Sequence, residues 1–327
     1  MSLGINTATP EGIVLAADSR QSYRNQKGVS RIGSDSASKV FRLGANKGLV
    51  VAGPAFLPEN GVAKNISRFV DEFRAGTSCD GITVKDVSDK LKVFFEGKYQ
   101  YKKQLEALPA QISKDLESKG CKVIEIHAEK THVTFRFTDP EGRPQHGVVG
   151  VDQLQFIVAG FNPDKSHQAC MVYVPGEVEV KRDSVERGKE YGASWIGQID
   201  VVSRIVLGFD GRIGNLPMFQ KLTSDIGGEE VGKQLHLLEY SIQWGTMTLQ
   251  DGIDFSVLAI ETTTAIQRFS DGIAADPGDM PGVGGPIDVA VITPEQGFVW
   301  ISKKNLRVGN KEIDLERVDR FPSNLGS

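Results

Sequence analysis

The sequence predicts an α+β fold of mainly antiparallel strands and amphipathic helices, and three observations carry that prediction. An apolar run at 13–17 follows a strand-like segment and a Pro10-Glu11-Gly12 turn. Apolar residues recur at helical spacing near 62–73, 84–95 and 249–264. Strand-like runs return at 154–161, 169–174, 287–292 and 297–301, so strands and helices alternate in blocks.

The elements follow in order. Ser2-Leu3-Gly4-Ile5-Asn6-Thr7 pairs with 13–17 as a hairpin, which brings residue 2 back beside Asp18. Strands at 3–8, 12–18, 39–43 and 48–53 are expected in one sheet region. Val62, Ile66, Phe69, Val70 and Phe73 form one helical face closed by Gly76, and Val84, Val87, Leu91, Phe94 and Phe95 form another. Ile112, Leu116 and the Gly120 stop indicate a further helix. A hairpin follows it, with alternation at Val123, Ile124 and Ile126, then at Val133, Phe135 and Phe137, and a turn at 139–142. Gly192 to Gln198 reads as a loop into a helix carrying Val201, Val202, Ile205 and Val206, and 210–246 reads as extra helical material. Thr248 and Asp251 make a capping signal for a helix with Leu249, Ile253, Val257, Ile260 and Thr264 on one face. A Gly/Pro/Asp-rich loop at 271–286 precedes the closing strands.

With 327 residues, 39% hydrophobic and 24% charged, the chain is expected to be one domain over 1–327, with insertions at about 105–150 and 210–246. A net charge of −4 without a basic stripe argues against nucleic acid as a partner. Cys79, Cys121 and Cys170 are widely spaced and odd in number, which suits a reducing compartment. The five histidines fall in no zinc-type spacing, so neither metal nor cofactor is implied. No basic leader and no apolar run of about 20 residues is present, so the expectation is a cytoplasmic protein without membrane contact.

The chemistry centres on the N-terminus. If Met1 is removed, Ser2 carries a free α-amine beside its own hydroxyl, and one residue supplies base and nucleophile. An ordinary leader residue is the alternative reading of Ser2.

Four ordered motifs bear on that choice: Gly12 to Arg20 around Asp18, Ser38-Lys39-Val40-Phe41, Gly48 to Gly53, and Gly284-Gly285-Pro286-Ile287-Asp288-Val289-Ala290-Val291-Ile292. Together they resemble the proteasome β-subunit-like family of N-terminal-nucleophile hydrolases, of HslV and Anbu type. Sixteen positions separate Ser2 from Asp18, the spacing that family keeps. The resemblance implies a four-layer α-β-β-α sandwich and a catalytic set of Ser2, Asp18, Lys39 and Gly53. Ser2 would attack, Asp18 would pair with Lys39, and Lys39 would tune the amine by its charge. Gly53 would lend an oxyanion N–H where a side chain would block the substrate. It also implies a peptide or protein substrate and a homo-oligomer. Departures are a serine as nucleophile, Gln198 and Val283 at positions where the family keeps serines, and only Asp276 or Asp279 for its acid. Two alternatives therefore stand beside a peptidase: a catalytically silent structural subunit, and an acylase acting on a non-peptide amide.

Overall fold

The computed structural model describes residues 2–25, 29–274, 276–277, 280–308 and 311–313. Its first hairpin joins β1 (Leu3–Thr9) to β2 (Gly12–Ala17), and every residue of both strands is buried. Two-sided covering is what a continuous apolar run requires. Then come β3 (Val40–Gly44), β4 (Lys47–Ala52), α1 (Ile66–Gly76), α2 (Val84–Lys98) and α3 (Tyr101–Ser118). The middle of the chain holds β5 (Lys122–Ala128), β6 (His132–Thr138), β7 (Pro144–Gly150), β8 (Leu154–Phe161), β9 (His167–Val174), β10 (Val178–Asp183) and β11 (Gly192–Gly197). The last part holds α4 (Asp200–Leu207), α5 (Pro217–Ile226), α6 (Gly228–His236), α7 (Leu249–Phe269), β12 (Asp288–Thr293) and β13 (Gly297–Ser302). The structure is a mixed α+β one with antiparallel sheets.

Two five-stranded sheets carry the fold, in the orders β11-β1-β2-β12-β13 and β10-β9-β8-β4-β3. The expectation of one sheet region for 3–8, 12–18, 39–43 and 48–53 is thereby corrected. The first two strands lie in one sheet and the other two in the second, because each hairpin finds a distant partner. Val14 of β2 stands opposite Val291 of β12, and Val50 of β4 opposite Ile157 of β8. The sheets pack face to face through Ile13, Leu15, Val50, Ile157, Ile292 and Phe298. Gly48 permits close approach: a Cβ there would lie 2.5 Å from Leu15 Cδ1 and 2.8 Å from a Phe298 ring carbon.

On the outer face of the second sheet, Phe69 and Phe73 of α1 and Leu91 and Phe95 of α2 pack with Leu49, Phe156 and Val172. On the outer face of the first, Val202 and Val206 of α4 and Ala259 and Ile260 of α7 pack with Leu3, Ile5, Val14 and Val291. Each large buried side chain contributes about 1.5–3 kcal/mol.

Helix boundaries differ from the periodic reading in instructive ways. Val62 belongs to a short strand, Val62–Asn65, and α1 starts only after Asn65, whose Oδ1 accepts from the Ser67 N–H at 2.9 Å. Gly192 to Gly197 is a strand rather than a loop, paired with β1 from Leu3 opposite Gly197 to Ala8 opposite Gly192. In α7 the capping box of Thr248 and Asp251 is present, but the buried stripe is Gly252, Ser256, Ala259, Ile260 and Thr263. These small residues let the helix lie close to the sheet, with Ser256 Oγ 2.9 Å from Thr7 Oγ1. Larger Leu249, Ile253 and Val257 sit at its flank, partly buried.

Residues 101–150 form α3 packed on a three-stranded sheet, β7-β6-β5, with Leu105, Ile112, Val133 and Phe135 as a local core. A third strand is thus added to the expected hairpin, and the unit has a small core of its own while Ile124, Val148 and Val149 stay exposed. The segment 217–226 behaves oppositely: α5 buries none of its residues and leaves Met218, Leu222 and Ile226 exposed. Among the described residues, no helix is long and apolar enough to cross a membrane.

Candidate active site

Asp18 is the first residue beyond β2, and its carboxylate is 1% exposed. Its Oδ1 accepts from the Leu3 N–H at 2.9 Å and from Lys39 Nζ at 2.8 Å. Its Oδ2 accepts from the Arg20 and Gly284 N–H groups, each at 3.0 Å. Four donors on one buried carboxylate offset the cost of taking it out of water. Lys39, immediately before β3, is 6% exposed, and its Nζ also donates to the Arg20 carbonyl at 2.5 Å. Burial pulls the Lys39 pKa below the ordinary lysine value, the Asp18 carboxylate opposes that, and Lys304 and Arg20 add repulsion. Arg20 itself is clamped by Asp35, Nε to Oδ1 at 2.7 Å and Nη2 to Oδ2 at 3.1 Å, which raises the guanidinium's pKa.

Ser2 is 5% exposed, and its carbonyl accepts from the Gln198 N–H at 2.6 Å. Ser2, Lys39 and Gly53 line one cavity, together with Arg20, Ser38 and Ile66, around about 380 Å³ of space open to solvent. Three of the four residues singled out by sequence therefore line one cavity, and the fourth, Asp18, is bonded to Lys39. The cavity's lining residues all come from outside 101–150. The backbone gives a reason of its own for a glycine at 53. Its φ is +107°, and a Cβ would lie 2.4 Å from the Gln153 carbonyl oxygen, so backbone packing forbids a side chain.

Gln198 follows the last residue of β11, and its side-chain oxygen accepts from Gln267 Nε2 at 2.9 Å. Gln267 Oε1 in turn accepts from the Gly282 and Val283 N–H groups at 3.0 and 2.9 Å. Sequence reasoning missed Gln267. Its one signal is register, since it extends the buried 252/256/259/263 stripe of α7 by four residues. Val283 is fully buried in the apolar layer beneath α7 and offers the site no hydroxyl. Asp279 and the side chain of Asp276 lie outside the described residues. Among the described residues, no group of three or more His, Cys, Asp or Glu is gathered to hold a metal.

No protein-family model matches the sequence, and no curated protein matches it. Among solved structures the chain is similar to Anbu from Hyphomicrobium sp. strain MC1, at 11% identity and a TM-score of 0.42 over 92% of this chain and 87% of that one. It is also similar to Anbu (ancestral beta-subunit) from Yersinia bercovieri, at 9% identity and a TM-score of 0.43 over 92% of this chain and 88% of that one.

Proposed function

We propose that the chain is a proteasome-like N-terminal-nucleophile hydrolase of peptide or other amide bonds. In this reading it is a single four-layer α-β-β-α domain with insertions at about 105–150 and 210–246, and Met1 is removed to free Ser2. One observation carries the proposal: the buried Lys39–Asp18 pair, 2.8 Å long, holds the amide that follows Ser2 at a cavity that Ser2 itself lines.

The chemistry is as follows. Ser2 Oγ attacks the substrate carbonyl while its proton passes to the α-amine, directly or through a water. The Lys39 charge favours the neutral amine and the developing alkoxide. The oxyanion is met by the Gly53 N–H. Collapse breaks the C–N bond, the leaving amine takes the proton back, and water then hydrolyses the ester on Ser2. No metal or cofactor enters.

A second reading, a catalytically silent subunit, draws on Gln198 and Val283, which bring an amide and a methyl-bearing side chain where the resemblance expects hydroxyls. Intact-mass analysis of protein from its native host, before and after a β-lactone probe, decides between the two. Loss of Met1 and a single adduct on Ser2 are expected. Met1 retained would overturn the hydrolase reading, because the free amine would belong to the wrong residue.

A further inference from the structure

We propose that Gln267 is a positioning residue for the reaction at Ser2, a proposal that rests on the hydrolase reading above. The argument is a closed ring of hydrogen bonds. Starting at Ser2, its carbonyl accepts from the Gln198 N–H at 2.6 Å. Gln198 Oε1 accepts from Gln267 Nε2 at 2.9 Å, and Gln267 Oε1 accepts from two successive backbone N–H groups, Gly282 at 3.0 Å and Val283 at 2.9 Å. The next residue, Gly284, donates to Asp18 Oδ2 at 3.0 Å, and Asp18 Oδ1 accepts from the Leu3 N–H at 2.9 Å. Leu3 is bonded to Ser2, so the ring closes.

Both polar groups of the Ser2–Leu3 peptide are members of this ring, the C=O on one arc and the N–H on the other. The orientation of that peptide fixes where the Ser2 α-amine and hydroxyl point relative to Lys39. Gln267 joins the two arcs, and it reaches them from the last turn of α7, outside the first sheet. A glutamine amide suits the junction because it accepts twice at one oxygen and donates from its nitrogen. A glutamate in its place could still accept both backbone N–H groups but would turn an oxygen toward Gln198 Oε1. Gln198 and Gln267 also line a second cavity of about 1180 Å³ open to solvent, between Arg204, Arg212 and Ile273. Water can therefore reach a carboxylate at 267, which keeps such a variant foldable.

The test compares Ser2 acylation by a β-lactone, read as intact mass against time and concentration, in wild type, Gln267→Glu, Gln198→Ala and the double variant. Gln250→Ala serves as control, on the exposed face of the same helix, where Gln250 donates to Asp254. A displacement of about 1 Å at a reacting group costs about 100-fold. The expected result is a fall of about 100-fold in the saturating acylation rate constant for Gln267→Glu, with the half-saturating lactone concentration unchanged. The double variant is expected to be no slower than the slower single one, and the control equal to wild type. A purely structural Gln267 would lower the unfolding midpoint yet leave the saturating rate constant of the folded fraction intact, and that result would overturn the proposal alone. No adduct on wild type would overturn the hydrolase reading and this proposal with it.

Discussion

The Leu3 N–H donates to Asp18 Oδ1 at 2.9 Å, on the same oxygen that receives Lys39 Nζ at 2.8 Å. One buried atom thus joins the start of the chain to the buried cation. The carboxylate therefore acts on the peptide following Ser2, and its role in the proposed chemistry is to register the terminus against the ammonium.

That shared oxygen sets an order of stability. In Asp18→Asn the Lys39 ammonium loses its counter-ion inside the protein, which costs about 3–5 kcal/mol. In Lys39→Met the carboxylate keeps its three backbone N–H donors, and the loss is about 1–3 kcal/mol. Urea denaturation should rank Asp18→Asn as the less stable variant. The opposite ranking would show that the backbone donors alone do not satisfy the carboxylate.

Lys39 also links stability to pH. Its folded pKa lies below the ordinary 10.5 because burial disfavours the charged form. Between the folded value and 10.5 the unfolded chain binds more protons than the native one, so stability rises with pH across that window. The cost of burying the ammonium is fully present below the window. The stability of wild type minus that of Lys39→Met should accordingly grow as pH is raised toward 10.5. A difference that stays flat or shrinks would place the folded pKa at or above the ordinary value.

The thiols should separate cleanly. Burial pushes the Cys170 thiol up to about 11 and raises that of Cys79, whereas Cys121 is only half-buried. Thiolate is the reactive species. Maleimide at neutral pH should label the native protein once, at Cys121, and reach all three cysteines only after unfolding. Native labelling at Cys170 would contradict its packing against α2.

Gly53→Ala tests the two accounts of that glycine. With φ at +107° and the Gln153 carbonyl 2.4 Å from the new Cβ, the variant should lose at least about 2 kcal/mol of stability whatever its activity. An unchanged unfolding midpoint would return the explanation to substrate access.

Assembly from like subunits remains a proposal carried by α5. Its Met218, Leu222 and Ile226 form an exposed stripe at four-residue spacing, with Leu237 and Tyr240 exposed farther along. Light scattering at micromolar concentration should give a mass above the single-chain 35.6 kDa, reduced by Leu222→Glu. A monomer in both cases would remove the proposal.

Much of this was legible in residues that repeat a local rule. The Ile13–Ala17 run, the Thr248/Asp251 box and the closing strands each announce themselves within a few positions, and Asp18 and Lys39 stand at strand ends where motif order marks them. What escaped depends on distant partners. Gly192-Ala193-Ser194-Trp195-Ile196-Gly197 is too short and too rich in small residues to show alternation, and it becomes a strand because β1 offers it an edge. The separation of β1–β2 from β3–β4 into two sheets is likewise decided by β12 and β8, the partners lying more than 270 and just over 100 residues away respectively. Gln267 escaped because a glutamine on an amphipathic helix looks like solvent-facing polarity until the buried stripe of α7 is known.

The bond between Asp18 and Gly284 spans 266 positions, and β2 waits for β12 to supply its second neighbour. Translation delivers the second of these partners 266 positions after the first. A nascent chain still on the ribosome therefore has Ser2 and Lys39 but not the backbone N–H that completes the Asp18 pocket. The arrangement acts as a timer: the peptide after Ser2 gains its fully bonded Asp18 anchor only once residue 284 has been made.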